Sequence, residues 1–120
     1  MVLVDSSVWI PFLRGKSELP GNLPRRLADG EARVCPVIWV ELYSGIKGAR
    51  EERLIAQIAD FSPSLGMDDE VWIEASSLRR KAIRKGLNCP LAVVLIVACA
   101  LRHDAELCHA DKHMDALLKL

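Results

Sequence analysis

Leu91–Leu101 is an unbroken run of eleven apolar residues. A helix crossing a bilayer needs about 20. The run is therefore predicted to be a helix buried on most sides by the rest of the chain. That demands a substantial surrounding core. With 51% hydrophobic residues in 120, the chain supplies one. The length suits one domain, residues 1–120, and is too short for two ordinary ones. Disorder is excluded by the same composition.

Other segments supply what encloses that helix. Val2–Val4 is short, apolar and largely β-branched, and it runs into Asp5, as a central strand ending at an acid would. Ser6 or Ser7 caps a helix to about Leu13, closed by Gly15, with Pro11 tolerated near its first turn. Asn22 and Pro24 open a short helix that Gly30 stops. Arg33–Cys35 reads as a second strand, and Pro36 opens a helix carrying Glu41. Ala49–Phe61 has helical spacing, and Pro63–Met67 reads as a third strand. Asp68 caps a long helix from about Asp69 to Lys85. Pro90 opens the apolar helix, which runs to about His103. Glu106–His109 is a last strand, and Asp111–Leu118 a terminal helix. Strands alternating with helices predict an α/β fold with a central, mostly parallel sheet covered on both faces.

Sixteen basic residues balance sixteen acidic ones, so no global field recruits a polyanion and any such partner needs a local patch. Arg79, Arg80, Lys81, Arg84 and Lys85 form one. Two readings stand. The cations complement the C-terminal end of a helix dipole, or Arg80, Arg84 and Lys85 meet RNA phosphates. Met1 leads directly into a strand-like segment without a basic region, so no signal peptide and a cytoplasmic location are expected. Cys35, Cys89, Cys99 and Cys108 lack Cys-x-x-Cys spacing and read as free, mostly buried thiols. His109, Asp111, His113 and Cys108 resemble zinc donors, but one short segment lacks a distant partner set. Trp9, Trp39 and Tyr43 are core residues or line a partner groove.

Sites in open parallel sheets form beyond the carboxyl ends of the strands. Asp5 and Asp111 fall there, and Glu41 sits within an apolar stretch. Each alone has an ordinary role as helix cap or surface acid. Together, three converging carboxylates repel unless a cation lies among them, and oxygen-only ligation suits Mg²⁺ or Mn²⁺. Such an ion activates water and stabilises charge on a phosphate oxygen. A haloacid-dehalogenase-like phosphatase needs a second acid where Ser7 stands. A response-regulator receiver needs adjacent acids where Val4 precedes Asp5.

Four blocks carry a family resemblance: Val-Asp-Ser-Ser-Val-Trp-Ile (4–10), Val-Glu-Leu-Tyr-Ser-Gly (40–45), Pro90–Leu101, and His-Ala-Asp-Lys-His-Met-Asp (109–115). In order, and over essentially the whole chain, they resemble PIN-domain ribonucleases of the VapC toxin type. The resemblance implies a three-layer α/β/α domain and a Mg²⁺- or Mn²⁺-dependent endoribonuclease acting on tRNA or another structured RNA. It implies a homodimer or a toxin-antitoxin hetero-oligomer with a VapB-type antitoxin. The antitoxin would bury apolar segments near the first helices. Asp5, Glu41 and Asp111 match the metal-binding catalytic acids, Asp115 a less constant acid, and Ser7 a small polar residue supporting Asp5. One position departs: Val93 stands where the family has an acid. A valine cannot ligate a metal, so this chain is expected to be weak or inactive. Natural drift or a deliberate Asp→Val change, made because an active toxin harms its host, would each explain it, and the second is favoured. The alternative reading is a non-catalytic PIN-like module that binds antitoxin or RNA.

Overall fold

A computed structural model describes residues 1–120. Three parallel strands, β1 (Val2–Val4), β2 (Ala32–Arg33) and β3 (Glu106–Cys108), lie in the order β2-β1-β3. Val2 is opposite Ala32 on one side and Glu106 on the other, and Val4 is opposite Cys108. All three residues of β1 are buried, because it is the central strand with both faces covered. The Asp5 amide donates to the Cys108 carbonyl at 2.9 Å, so the ends of β1 and β3 stay paired up to the first acid.

Seven helices complete the three-layer α/β/α arrangement: α1 (Ser6–Leu13), α2 (Leu23–Ala28), α3 (Pro36–Ser44), α4 (Ala49–Phe61), α5 (Asp69–Arg84), α6 (Leu91–Arg102) and α7 (Lys112–Leu118). The apolar run is α6, and every residue from Val93 to Ala100 is buried. It packs most extensively on α5, and also on α7, α3 and β3. α5 turns Val71, Ala75, Leu78 and Ala82 inward, one per helical turn, and leaves its charged face to solvent. Asp68 caps it by accepting from the Val71 amide at 3.2 Å. One continuous core of 31 buried residues joins strands and helices. The radius of gyration, 14.2 Å, is close to that expected for this length.

Several local expectations change. The third strand predicted at Pro63–Met67 is reduced to one parallel bridge, Val34 to Ser64. Pro63 cannot donate to a ladder, and Gly66 adds no side chain to pack. Pro11 lies in the second turn of α1, not the first, and the helix ends two residues later. Asn22 does not cap α2 through its side chain. It ends a 3₁₀ turn, Pro20–Asn22, in a left-handed conformation (φ 52°). Strand β2 is Ala32–Arg33, not Arg33–Cys35, and Cys35 instead precedes α3. Trp9 is fully buried, so it lines no groove.

Candidate active site at the strand ends

Asp5 leaves β1 and caps α1. Its Oδ2 accepts from the Ser7 amide at 3.1 Å and from the Ser7 hydroxyl at 2.6 Å. The residue is only 3% exposed. The Ser7 oxygen also accepts from the Ala110 amide at 3.0 Å, fastening the β3–α7 loop to the start of α1. Glu41 lies on α3, half-buried, and its Oε1 accepts from the Ser6 hydroxyl at 3.1 Å. Neighbouring serines therefore hold neighbouring acids.

The Glu41 carboxyl is pushed above the ordinary carboxylate range. Burial is the main cause, the Ser6 bond opposes it, and the negative charges of Asp5 and Asp111 add to it. Glu41 thus feels acids from two distant segments at the carboxyl edge of the sheet. Asp111 caps α7, its Oδ1 accepting from the His113 amide at 2.7 Å. Its own amide donates to His109 Nδ1 at 3.1 Å. That bond leaves the neutral ring's proton on Nε2, which lies 3.4 Å from Asp115 Oδ1. His109 therefore bridges Asp111 and Asp115.

As placed, no three acid, histidine or cysteine side chains lie close enough to hold a metal ion. The donors are right in kind for a hard divalent cation, because Asp5, Glu41 and Asp111 offer only carboxylate oxygens. The Ser7 and Ser6 hydroxyls and the His113 backbone amide hold those carboxyls in their present positions. Val93 occupies the first turn of α6 and is buried among core residues. α6 packs on α3, where the buried thiols of Cys35 and Cys99 meet. The adjacent Cys99 thiol pushes the Cys35 pKa below the ordinary thiol value, helped by the first amides of α3 and opposed by burial. The Cys99 thiol is correspondingly raised.

A cavity of about 380 Å³ opens beside these acids, lined by Gly21, Glu106, His109, Asp111, Lys112 and Asp115. Asp5 and Glu41 do not line it, so it flanks the place where the three acids interact. Cys108 borders it, donating to the Pro20 carbonyl at 3.3 Å. In the His109–His113 segment the His109 ring accepts from the Asp111 backbone amide, and the Cys108 thiol faces the Pro20 carbonyl. All four cysteines are free and buried, as expected. Arg80 and Arg84 line a separate concavity on α5, while Lys85 does not reach it. Sequence reasoning treats Ser6 only as a cap and assigns His109 no bridging role. A serine directly after a strand-ending acid is the available signal for the first; nothing in the sequence indicates the second.

The sequence model of the PIN-domain family matches residues 2–119. The chain belongs to the PIN-domain family. Among characterised PIN proteins, it is 27% identical to ribonuclease VapC11 of Mycobacterium tuberculosis over 125 residues. That alignment spans all of this chain and 93% of the relative. A VapC ribonuclease of Mycobacterium bovis is equally similar. The fold matches VapBC2 from Rickettsia felis, solved bound to a promoter DNA fragment. The TM-score is 0.75 at 12% identity, covering 89% of this chain and 85% of that one. It also matches VapBC-5 of M. tuberculosis, a toxin-antitoxin structure, with a TM-score of 0.72 at 19% identity. The coverage there is 96% of this chain and 88% of the other. These PIN relatives share the three-layer architecture on which Asp5, Glu41 and Asp111 are displayed. No helix of the chain is long and apolar enough to cross a membrane.

Proposed function

We propose that residues 1–120 form one unit, the toxin of a type II toxin-antitoxin system. Its native activity is endonucleolytic cleavage of tRNA or another structured RNA in the cytoplasm. The observation that carries this reading is the placement of Asp5, Glu41 and Asp111 at the carboxyl edge of the sheet, where both aspartates add to the upward push on the Glu41 carboxyl. Three half-buried or buried acids gathered there destabilise one another unless a cation joins them. Asp5, Glu41 and Asp111 would hold Mg²⁺ or Mn²⁺, with Asp115 as a further acid released from His109. Such an ion supplies an activated water and charge stabilisation on the scissile phosphate. The chain's own residues set the frame. Ser7 fixes Asp5, Ser6 orients Glu41, and His109 ties Asp111 to Asp115.

Val93 withdraws one acid from this frame, so the chain as it stands is weak or inactive. The partner is a VapB-type antitoxin, with the toxin as a homodimer or within a hetero-oligomer. A groove of about 440 Å³ bordered by Phe12, Leu27, Leu54, Ile58 and Phe61 of α1, α2 and α4 suits an apolar antitoxin segment. A non-catalytic PIN-like module for antitoxin or RNA is the second reading, favoured by Val93 and by the lack of three converged ligands.

The test is Mn²⁺-supported cleavage of total tRNA by this chain, by Val93→Asp, and by Val93→Asp combined with Asp5→Ala. Cleavage by the restored form alone, lost in the double variant, supports the nuclease. Silence from every folded form supports the binding module.

A further inference from the structure

One face of α5 is unused by the site above. Trp72, Ser76, Arg80, Ile83 and Arg84 fall at i, i+4, i+8, i+11 and i+12, which places them along one side of the helix over about 18 Å. Trp72 is half exposed, and its Nε1 donates to the Met67 carbonyl at 3.2 Å, which anchors the ring at the surface. Ser76, Arg79, Arg80, Ile83 and Arg84 line a concavity of about 460 Å³ with no carboxylate in its wall. Arg79 Nη1 donates to the Cys89 carbonyl at 3.0 Å, fixing this end of α5 to the segment that opens α6. Arg80 and Arg84 are exposed and in no ion pair, whereas Arg14, Arg25, Arg26 and Arg102 each have an acidic partner.

We propose that this stripe is a docking surface for a single-stranded segment of RNA, with phosphates on Arg80 and Arg84 and a base on Trp72. Unpaired guanidinium groups around an acid-free hollow attract a polyanion, and an anchored, exposed indole offers a stacking face for any base. The zero net charge of the chain means that attraction must be local. A second copy of the chain fits less well. A parallel twofold contact on the stripe would set arginines against arginines, and an antiparallel one would set Arg84 against Trp72 while leaving the acid-free hollow without an anion. The choice of RNA rests on the nuclease reading; the phosphate-and-base chemistry rests on α5 alone. The stripe's basic half lies at the end of α6 that carries position 93, because the Arg79–Cys89 bond holds α5 there.

The test uses the full chain in EDTA and a fluorescein-labelled twelve-nucleotide uridine oligomer, followed by anisotropy across a salt series. Arg80→Gln with Arg84→Gln is expected to weaken binding about tenfold and to flatten the log Kd against log salt slope by about 1.4. Trp72→Ala is expected to weaken binding about tenfold without changing that slope, and Trp72→Phe to restore most of it. Unchanged circular dichroism confirms that the variants fold. Affinity within twofold of the parent in the double arginine variant overturns the proposal. So does a change in oligomeric state by light scattering with RNA affinity unaltered, which would make the stripe a contact between copies. If Val93→Asp leaves tRNA uncut while the arginine and tryptophan effects hold, the nuclease reading fails and the docking surface stands. If Val93→Asp cuts tRNA while the α5 variants bind RNA as the parent does, the docking surface fails and the nuclease reading stands.

Discussion

Ser7 donates its hydroxyl to Asp5 Oδ2 at 2.6 Å while accepting the Ala110 amide at 3.0 Å. One side chain therefore joins the end of β1 to the loop that carries Asp111. Ser7→Ala removes both bonds and leaves a buried carboxylate with less support. The expected loss is about 1–2 kcal/mol in denaturant unfolding, and Ser7→Thr should recover part of it. An alanine variant as stable as the parent would show that the bridge contributes nothing.

Val93 is packed in apolar surroundings, so an acid there is costly without an ion. In EDTA, Val93→Asp should lower stability by about 1–3 kcal/mol. Mn²⁺ at 100 times its dissociation constant would return about 2.7 kcal/mol. Thermal melts with and without Mn²⁺ read this directly. A variant whose melting temperature ignores Mn²⁺ would mean that position 93 does not belong to a metal site.

Glu41 holds its proton more tightly in the folded chain than in the unfolded one. Stability from that difference is fully present below the unfolded value of 4.5 and is lost as pH rises through the higher folded value. Glu41→Gln escapes the loss. At pH 7 and low salt its melting temperature should exceed the parent's by about 2 °C, small because partial exposure screens the charges. The gap should close below pH 4.5. A gap that widens on acidification would contradict the crowding of Asp5, Glu41 and Asp111.

Gly21 has φ +72°, and a Cβ placed there would lie 2.5 Å from Cys108 Sγ. Gly21→Ala should cost about 2–4 kcal/mol, from left-handed backbone strain and from the collision. In a Cys108→Ala background the collision is gone, and the same change should cost only about 1 kcal/mol. Equal costs in both backgrounds would place the whole effect in the backbone. Because both residues border the cavity beside Asp111, Mn²⁺ affinity of the Val93→Asp form should weaken along with stability in Gly21→Ala.

Patterns along the chain are enough to predict the order of elements. The eleven-residue apolar run could only be enclosed, and it is α6. Asp68 with the 71-75-78-82 apolar spacing marks α5 and its start, because caps and helical periodicity are local signals. The third strand does not form because apolar character in Pro63–Met67 shows that a segment is buried, not whether it finds a ladder partner. The three acids can be named from their positions after strands and from the family blocks. Their interaction is a product of the fold. Asp5, Glu41 and Asp111 are 36 and 70 residues apart in succession along the chain, and only the parallel pairing of β1 with β3 and the packing of α3 bring their charges within reach. The bridging roles of Ser6, Ser7 and His109 are likewise set by the tertiary structure, since a hydrogen-bond partner distant in sequence leaves no periodic trace. Sequence alone determined which residues prefer burial and which can carry charge, because those are properties of single side chains. Tertiary structure decided which charges meet, because electrostatic strength depends on distance and on the water excluded between them.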